Sequence, residues 1–166
     1  MSKLVYLYGP ISGKTFGEAN DWRDWMRAQL KPFDIEAISP LRFKDYLANL
    51  KGPVSSGDDT ARLSGHGREY ADLGVLSTPP AVLARDKFDV HRVQMLAGNF
   101  MDASQVSIGS MFEQAWAHAK HTPVAAAVPR ENGHPHDHMF FSQTVDFKVH
   151  SLEALRDIII AVLHST

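Results

Sequence analysis

Residues 93–128 read VQMLAGNFMDASQVSIGSMFEQAWAHAKHTPVAAAV, and this stretch decides the fold. Met95 to Phe100 is a short apolar run, Val106 to Ser110 is a turn of small residues, and Met111 to Lys120 carries helical spacing with Glu113 in its first turn. Pro123 to Val128 is a second apolar run after one tight connection. Short apolar runs bounded by turn residues are the signature of buried strands, and the helical stretch between them completes a βαβ unit. Such a unit joins parallel neighbours through a right-handed crossover, so a parallel sheet covered by helices is expected. Ligands of such sheets bind outside the carboxyl ends of the strands, and Glu113 is expected beside that crevice.

Upstream, Leu4 to Tyr8 is an aliphatic and aromatic run ended by Gly9-Pro10, which predicts the first buried strand. Phe16 to Leu30 places Trp22, Trp25, Met26 and Leu30 at helical spacing, an amphipathic helix that covers the sheet. Asp34 to Ser39, closed by Pro40, is the second strand, and Ala84 to Arg92 is a helix leading into the strand at Met95. Residues 51–69 are polar and rich in Gly and Ser, which predicts a long mobile loop of the kind that serves as a lid. Downstream, residues 129–138 form another polar loop, and Ser151 to Leu163 is an amphipathic helix with Ser151 as its N-cap. No internal repeat or low-complexity segment interrupts this order. The 166 residues are therefore expected to form one α/β domain, residues 1–166, with a flavodoxin-like or Rossmann-like parallel sheet and helices on both faces.

Composition narrows the functional classes. A content of 44% hydrophobic residues fits a soluble globular protein with a real core, and a net charge of −2 argues against a nucleic-acid polymer or a membrane as partner. A small neutral or weakly anionic ligand fits better. The absence of cysteine removes disulfide frameworks, thiol catalysis and cysteine-based zinc sites together. The N-terminus runs straight into a strand without a signal pattern, and no apolar run is long enough to span a bilayer, so a cytoplasmic location is expected.

Two motifs invite stronger readings than they support. Gly9-Pro10-Ile11-Ser12-Gly13-Lys14-Thr15 follows a strand and precedes a helix, like a phosphate-binding P-loop. Only three residues separate its glycines, where the phosphate cradle needs four, and no strand ending in Asp offers a magnesium partner. The weaker expectation is that its backbone N–H groups face a ligand at the helix N-terminus. His134, His136, Asp137 and His138 crowd one loop with Gly133 and Pro135; they are read as solvated loop residues, and no metal is assigned.

The acids are more telling. Asp86 and Asp89 lie on the element before the Met95 strand and Glu113 on the element after it, so three carboxylates approach one strand end. Any one of them alone is more often a solvated acid or a helix cap. Glu113 is followed by Ala115, Trp116 and Ala117, which predicts burial. A helix N-terminus favours the ionised form by a few tenths to about 1 kcal/mol, and burial opposes it. Tyr6, at the end of the first strand, is a candidate partner for that carboxylate, with ordinary core packing as its other reading. Two carboxylates with separate duties, one ionised and one carrying a proton, are what glycosidic bond chemistry needs.

Four pieces in order resemble the nucleoside 2-deoxyribosyltransferases and their relatives, the 2'-deoxynucleoside 5'-phosphate N-hydrolases. They are YLYGP at 6–10, ARDKFDVHR at 84–92, VSIGSMFEQAWAHAKHTPV at 106–124 and DHM at 137–139. The third is specific, because the family's Gly-x-x-x-Glu turn and small-residue helix match Gly109 through Ala119. The resemblance implies that Glu113 is the nucleophile at the anomeric carbon, that Tyr6 orients it, and that Asp86 protonates the leaving base, with Asp89 as the nearby alternative. It places Gly9, Ser107 and Gly109 around the substrate. Asp137 and Met139 fall where the family lends residues to a neighbouring chain's site, which implies a homo-oligomer with shared active sites. The implied substrates are a nucleoside and a nucleobase, and no cofactor is required.

The family's two activities are not equally matched. The transferases carry an aspartate where this chain has Ser107, six residues before Glu113, and the phosphate hydrolases carry serine there, which points to a 5'-phosphate. In the hydrolases' phosphate-contacting turn, however, Ser12 replaces an arginine, and Asp137 stands where a further serine meets phosphate. A negative charge there repels a phosphate, so the transferase is preferred and the 5'-monophosphate hydrolase is the alternative. A flavodoxin-like nucleotide-binding domain without catalysis, in which Glu113 only caps its helix, is the non-enzyme reading.

Overall fold

The computed structural model describes residues 2–55, 58, 64–65, 68–69 and 78–164, and the alternation along its first strand organises both halves of the core. In β1 (Lys3–Tyr8), Val5 and Leu7 face one side, Tyr6 and Tyr8 the other, and all four are fully buried. Successive strand residues point to opposite faces, so a strand buried on both sides must be apolar throughout. The other strands of the sheet are β2 (Ile35–Ile38), β3 (Met95–Asn99), β4 (Val124–Ala127) and β5 (Phe147–Val149). Their order is β2-β1-β3-β4-β5, with every neighbouring pair parallel. This is the flavodoxin-like order, in which the chain reverses its direction of travel between β1 and β3 and opens a crevice at their carboxyl ends.

Among the described residues, five α-helices flank the sheet: α1 (Phe16–Leu30), α2 (Pro79–Arg92), α3 (Ile108–Ala119), α4 (Met139–Gln143) and α5 (Leu152–Leu163). On one face, Trp22, Met26 and Leu30 of α1 and Leu155, Ile159 and Leu163 of α5 pack on Val5, Leu7, Met95 and Ala97. On the other, Val90 of α2 and Ala117 of α3 pack with Tyr6, Tyr8, Leu96 and Phe100. Among the described residues, no helix is long and apolar enough to cross a membrane.

Several boundaries differ from those expected, each for a local reason. The second strand is shorter than Asp34 to Ser39, because Asp34 takes a left-handed conformation (φ 54°) and only Ile35–Ile38 pair with β1. Helix α2 begins at Pro79 rather than Ala84: Thr78 is its N-cap, and two prolines occupy the first turn, where a missing N–H leaves no helical bond unmade. Helix α3 begins at Ile108 rather than Met111, with Ser107 as N-cap accepting a bond from the Ser110 N–H, so Glu113 lies in the second turn and not the first. Strand β5, only three residues long, gave no periodic signal at all. The mobile-loop expectation for 51–69 falls partly on residues outside the described ones (56–57, 59–63 and 66–67); within the stretch, Ser64–Gly65 and Arg68–Glu69 form a short antiparallel pair separate from the main sheet.

Gly98 in β3 is required by its neighbours' rings. A Cβ there would sit 2.5 Å from Tyr8 Cε1 and 2.7 Å from Phe100 Cε2, and both rings are buried. Gly98→Ala is therefore expected to lower the unfolding free energy by about 1–3 kcal/mol through overpacking. Urea denaturation checks this; an unchanged midpoint would mean that the Tyr8 ring does not rest on Gly98.

Candidate active site

Tyr6 and Tyr8 share a face of β1 and meet consecutive residues of α3. The Tyr6 hydroxyl donates to Glu113 Oε1 at 2.7 Å, and the Tyr8 hydroxyl donates to Gln114 Oε1 at 3.0 Å. Ser110, Glu113, Gln114 and Ala117 are the buried residues of α3, at the three- and four-residue spacing that lines one helical face. Three of those four side chains are polar, so the face turned to the sheet carries functional groups where packing alone would place aliphatics. The second-turn position of Glu113 also corrects the expectation about the helix terminus, whose field fades beyond the first turn.

A cleft of ≈ 570 Å³ opens at the carboxyl ends of β1 and β3, where the topology reverses. Its wall includes the turn Gly9–Ser12, the α3 start Ser107–Ser110 with Glu113, and, from other elements, Lys44 and Asp86. Gly9, Ser107 and Gly109, expected around the substrate, line this cleft. Gly9 has φ 143°, and a Cβ there would lie 2.7 Å from the Asn99 carbonyl oxygen, so no side chain fits where the two strand ends approach.

The electrostatics divide the two acids. Burial raises the pKa of Glu113 to about 8, the charge of Asp86 pushes it the same way, and the Tyr6 hydrogen bond, Arg23 and Lys44 oppose the rise. Burial also raises Asp86, against the pull of Lys44 and Arg85. Asp86 Oδ1 is shielded from solvent and accepts no hydrogen bond, and Arg85 Nε lies 3.6 Å from it as an ion-pair partner. Burial thus biases both acids toward holding a proton, and the charge of Asp86 adds to the cost of ionising Glu113. Tyr6 is held neutral, its pKa raised by burial and by the facing acids, and so remains a donor.

Two cations at the site went unrecognised in the sequence. Arg23 is fully buried and donates to the carbonyls of Leu7 (3.3 Å), Gly9 (3.1 Å) and Ala19, which ties α1 to the end of β1. Burial lowers its pKa to about 10, so it stays charged and favours the ionised form of Glu113. Its signal was legible: Arg23 falls on the stripe of Ala19, Trp22, Met26 and Leu30, a charge in the middle of an apolar helix face. Lys44, also buried, sits at the cleft through the chain's path after β2, and nothing local in the sequence marks it.

Other expectations are corrected. Asp89 is fully buried and ion-paired with Arg42 and with Arg92 Nε (2.9 Å); it does not line the cleft, so it holds α2 in place and faces no substrate. Asp137 and Met139, expected at a neighbouring chain's site, lie off the cleft of their own chain: Asp137 Oδ2 accepts from the Gly133 N–H (3.0 Å) and Met139 is 66% exposed, which leaves that expectation standing. In the turn before α1, the Gly13 N–H is bonded to Val54 O (2.8 Å), Lys14 N–H to Ile11 O (3.1 Å) and Thr15 N–H to Glu18 Oε2 (2.7 Å). Those three groups are used internally, and Lys14 Nζ donates to Asp102 O (3.0 Å), so no phosphate cradle is formed by them. Of the loop histidines, His136 is not solvated: it is 2% exposed, and its Nε2 accepts the Ser107 N–H at 3.0 Å. Among the described residues, no group of three or more His, Asp or Glu is arranged to hold a metal ion.

No protein-family model and no curated protein matches the chain. Among solved structures, it is similar to a conserved protein from Enterococcus faecalis, at 15% identity and a TM-score of 0.62, over 98% of this chain and 100% of that one. It is also similar to the molybdenum cofactor binding protein from Rippkaea orientalis, at 12% identity and a TM-score of 0.56, over 98% of each chain. A third likeness is to DNA processing protein A from Helicobacter pylori, at 12% identity and a TM-score of 0.55, over 98% of this chain and 82% of that one. At these identities the likeness is one of architecture, and the chain is a flavodoxin-like, Rossmann-like α/β domain built on a five-stranded parallel sheet.

Proposed function

We propose that the protein is a nucleoside 2-deoxyribosyltransferase that moves a 2-deoxyribosyl group between nucleobases and retains configuration. The observation that carries this reading is the buried Tyr6–Glu113 hydrogen bond at the head of a cleft that Asp86 also lines. In the reactive arrangement Asp86 carries a proton and Glu113 is ionised. A Glu113 oxygen attacks the anomeric carbon, the bond to the base nitrogen breaks, and that nitrogen takes its electron pair and the Asp86 proton. The result is a deoxyribosyl ester of Glu113. A second base then attacks the same carbon, releases the Glu113 carboxylate and returns its proton to Asp86, which gives ping-pong kinetics. Tyr6, Arg23 and Lys44 favour the ionised nucleophile that each half-reaction requires.

Ser12, Gln105, Ser107 and Ser110 give one stretch of cleft wall a neutral, hydroxyl-rich character, which suits a sugar hydroxyl better than a phosphate dianion. Ser107 at the start of α3 favours the second reading, hydrolysis of a 2'-deoxynucleoside 5'-monophosphate. Val106, Ile108, Phe112, Met139 and Phe140 are exposed apolar side chains, and they support a homo-oligomer in which Asp137 and Met139 serve a neighbouring site.

Incubating the protein with a deoxynucleoside, and separately with its 5'-monophosphate, each with and without a second free base, tests the reading. Exchange of bases on the nucleoside is the expected result; release of base from the monophosphate alone would replace it with the hydrolase, and no turnover of either would remove both. Within the same assay, Tyr6→Phe is expected to lower kcat by about 10- to 100-fold, since the bond to an ionised carboxylate contributes about 1.5–3 kcal/mol. An unchanged rate would take Tyr6 out of the reaction.

A further inference from the structure

We propose that His136 is a positioning residue for the serine-lined end of the cleft, holding the N-cap of α3 so that Ser107 and Ser110 are presented to the sugar. This rests on the deoxyribosyl-transfer reading of that cleft. His136 belongs to the loop after β4, not to the cleft wall, and it reaches the site only through Ser107.

The contact has a definite chemistry. The backbone N–H of an N-cap residue precedes the helical hydrogen-bond ladder, so its partner must come from elsewhere in the fold. Here it is His136 Nε2, at 3.0 Å. Ser107 Oγ in turn accepts the Ser110 N–H at 3.4 Å and lies 2.9 Å from Ser110 Oγ. One imidazole therefore fixes the backbone of the residue whose side chain organises the first turn.

A purely structural role explains histidine poorly at this position. An accepting Nε2 places the ring proton on Nδ1, and Nδ1 is buried with no hydrogen-bond partner. The ring is packed edge-on against Phe100 (centroids 4.6 Å apart) and tilted against Phe141 (5.7 Å), and those two rings contact each other at 5.1 Å. Phenylalanine would fill that aromatic nest without burying an unsatisfied N–H, which is costly. What histidine adds over phenylalanine is the acceptor for Ser107. Burial, with His134 nearby, pushes the His136 pKa down to about 4, so the ring is neutral and Nε2 is an acceptor at neutral pH.

A second tie runs alongside. Gln114 Nε2 donates to Phe141 O (3.0 Å) and to Thr144 Oγ1 (2.5 Å), one residue from Glu113, so the same downstream segment grips α3 at two heights. Loss of the His136 acceptor therefore loosens the start of α3 while Gln114 still anchors the turn that carries Glu113. Substrate binding suffers and chemistry is largely spared.

The test compares His136→Phe, which keeps the packing and loses the acceptor, with His136→Gln, which keeps an acceptor. The phenylalanine variant is expected to raise KM for the deoxynucleoside about tenfold with kcat changed less than threefold, and the glutamine variant to return KM toward the parent value. Hydrogen exchange of the Ser107 amide, measured without substrate, is expected to be at least tenfold faster in His136→Phe. Unchanged exchange at Ser107, or an unchanged KM in the folded variant, would overturn the proposal. If the phenylalanine variant does not fold, His136→Met replaces it with the same expected readouts. Absence of base exchange in the parent protein would defeat the transferase reading, and the amide measurement would still decide the His136 tie.

Discussion

A Glu113→Gln variant is expected to lose base exchange by roughly 10⁴-fold or more, because it replaces the proposed carboxylate nucleophile by an uncharged, unreactive amide. The same variant is expected to be more stable than the parent at alkaline pH. The sign follows from burial. Glu113 titrates at about 8 in the folded protein against its usual 4.5, so between those values the folded state holds a proton that the unfolded chain releases. Stability associated with this group is fully present below about pH 4.5 and is lost as pH rises through about 8. At about 1.36 kcal/mol per pH unit, the interval from 4.5 to about 8 bounds the loss at roughly 5 kcal/mol. Glutamine keeps an oxygen for the Tyr6 hydroxyl and has no proton to lose. Parent and variant should therefore unfold at similar denaturant concentrations near pH 4.5 and diverge progressively toward pH 9. A stability difference that does not change with pH would show that Glu113 is not the buried proton holder.

The second large effect belongs to Asp86. Asp86→Asn is expected to lower kcat by about 10²–10⁴-fold, the usual contribution of a positioned general acid. Two further readouts separate that role from a structural one. A deoxynucleoside whose base is already cationic leaves without a proton, so its turnover should be nearly unaffected by the change. The ionisation of Glu113 should also shift downward, because the charge of Asp86 is one of the causes that raises it. In the parent, kcat/KM should fall on the alkaline side as the proton that protonates the leaving base is lost from Asp86, whose pKa burial raises. If the asparagine variant slowed the cationic substrate as much as the neutral one, Asp86 would be stabilising the cleft rather than donating a proton.

Glu113 and Tyr6 combine activity with instability. A carboxyl group enclosed among Tyr6, the β1 end and α3 resists ionisation, yet the proposed reaction requires the ion. The fold meets that conflict with one strong donor and two buried cations rather than with solvent. Such a site costs stability at the pH where it works, which is why its neutral isostere is expected to strengthen the fold.

The parallel sheet and its covering helices were legible because they depend on short-range patterns. Apolar runs at 4–8 and 95–100, the helical spacing of Trp22, Met26 and Leu30, and the cap at Ser151 all act within a few residues. The same locality put Tyr6 at a strand end and Glu113 on the following unit's helix. The starts of α2 and α3 were misplaced because Pro79 and Ile108 belong to first turns, where capping by Thr78 and Ser107 outweighs the apolar period. What only the tertiary structure decided is everything that depends on which distant groups meet. Strand order brings Tyr6 to Glu113 across 107 residues, and burial then sets which acid keeps the proton. Asp86 and Asp89 are three residues apart on one helix, yet one opens onto the cleft and the other is neutralised by Arg42 and Arg92. His136 looked like a solvated loop residue until the packing of Phe100 and Phe141 enclosed it. Local sequence specifies backbone conformation; charge, proton and acceptor roles are properties of the environment, and the environment is assembled only when the chain folds.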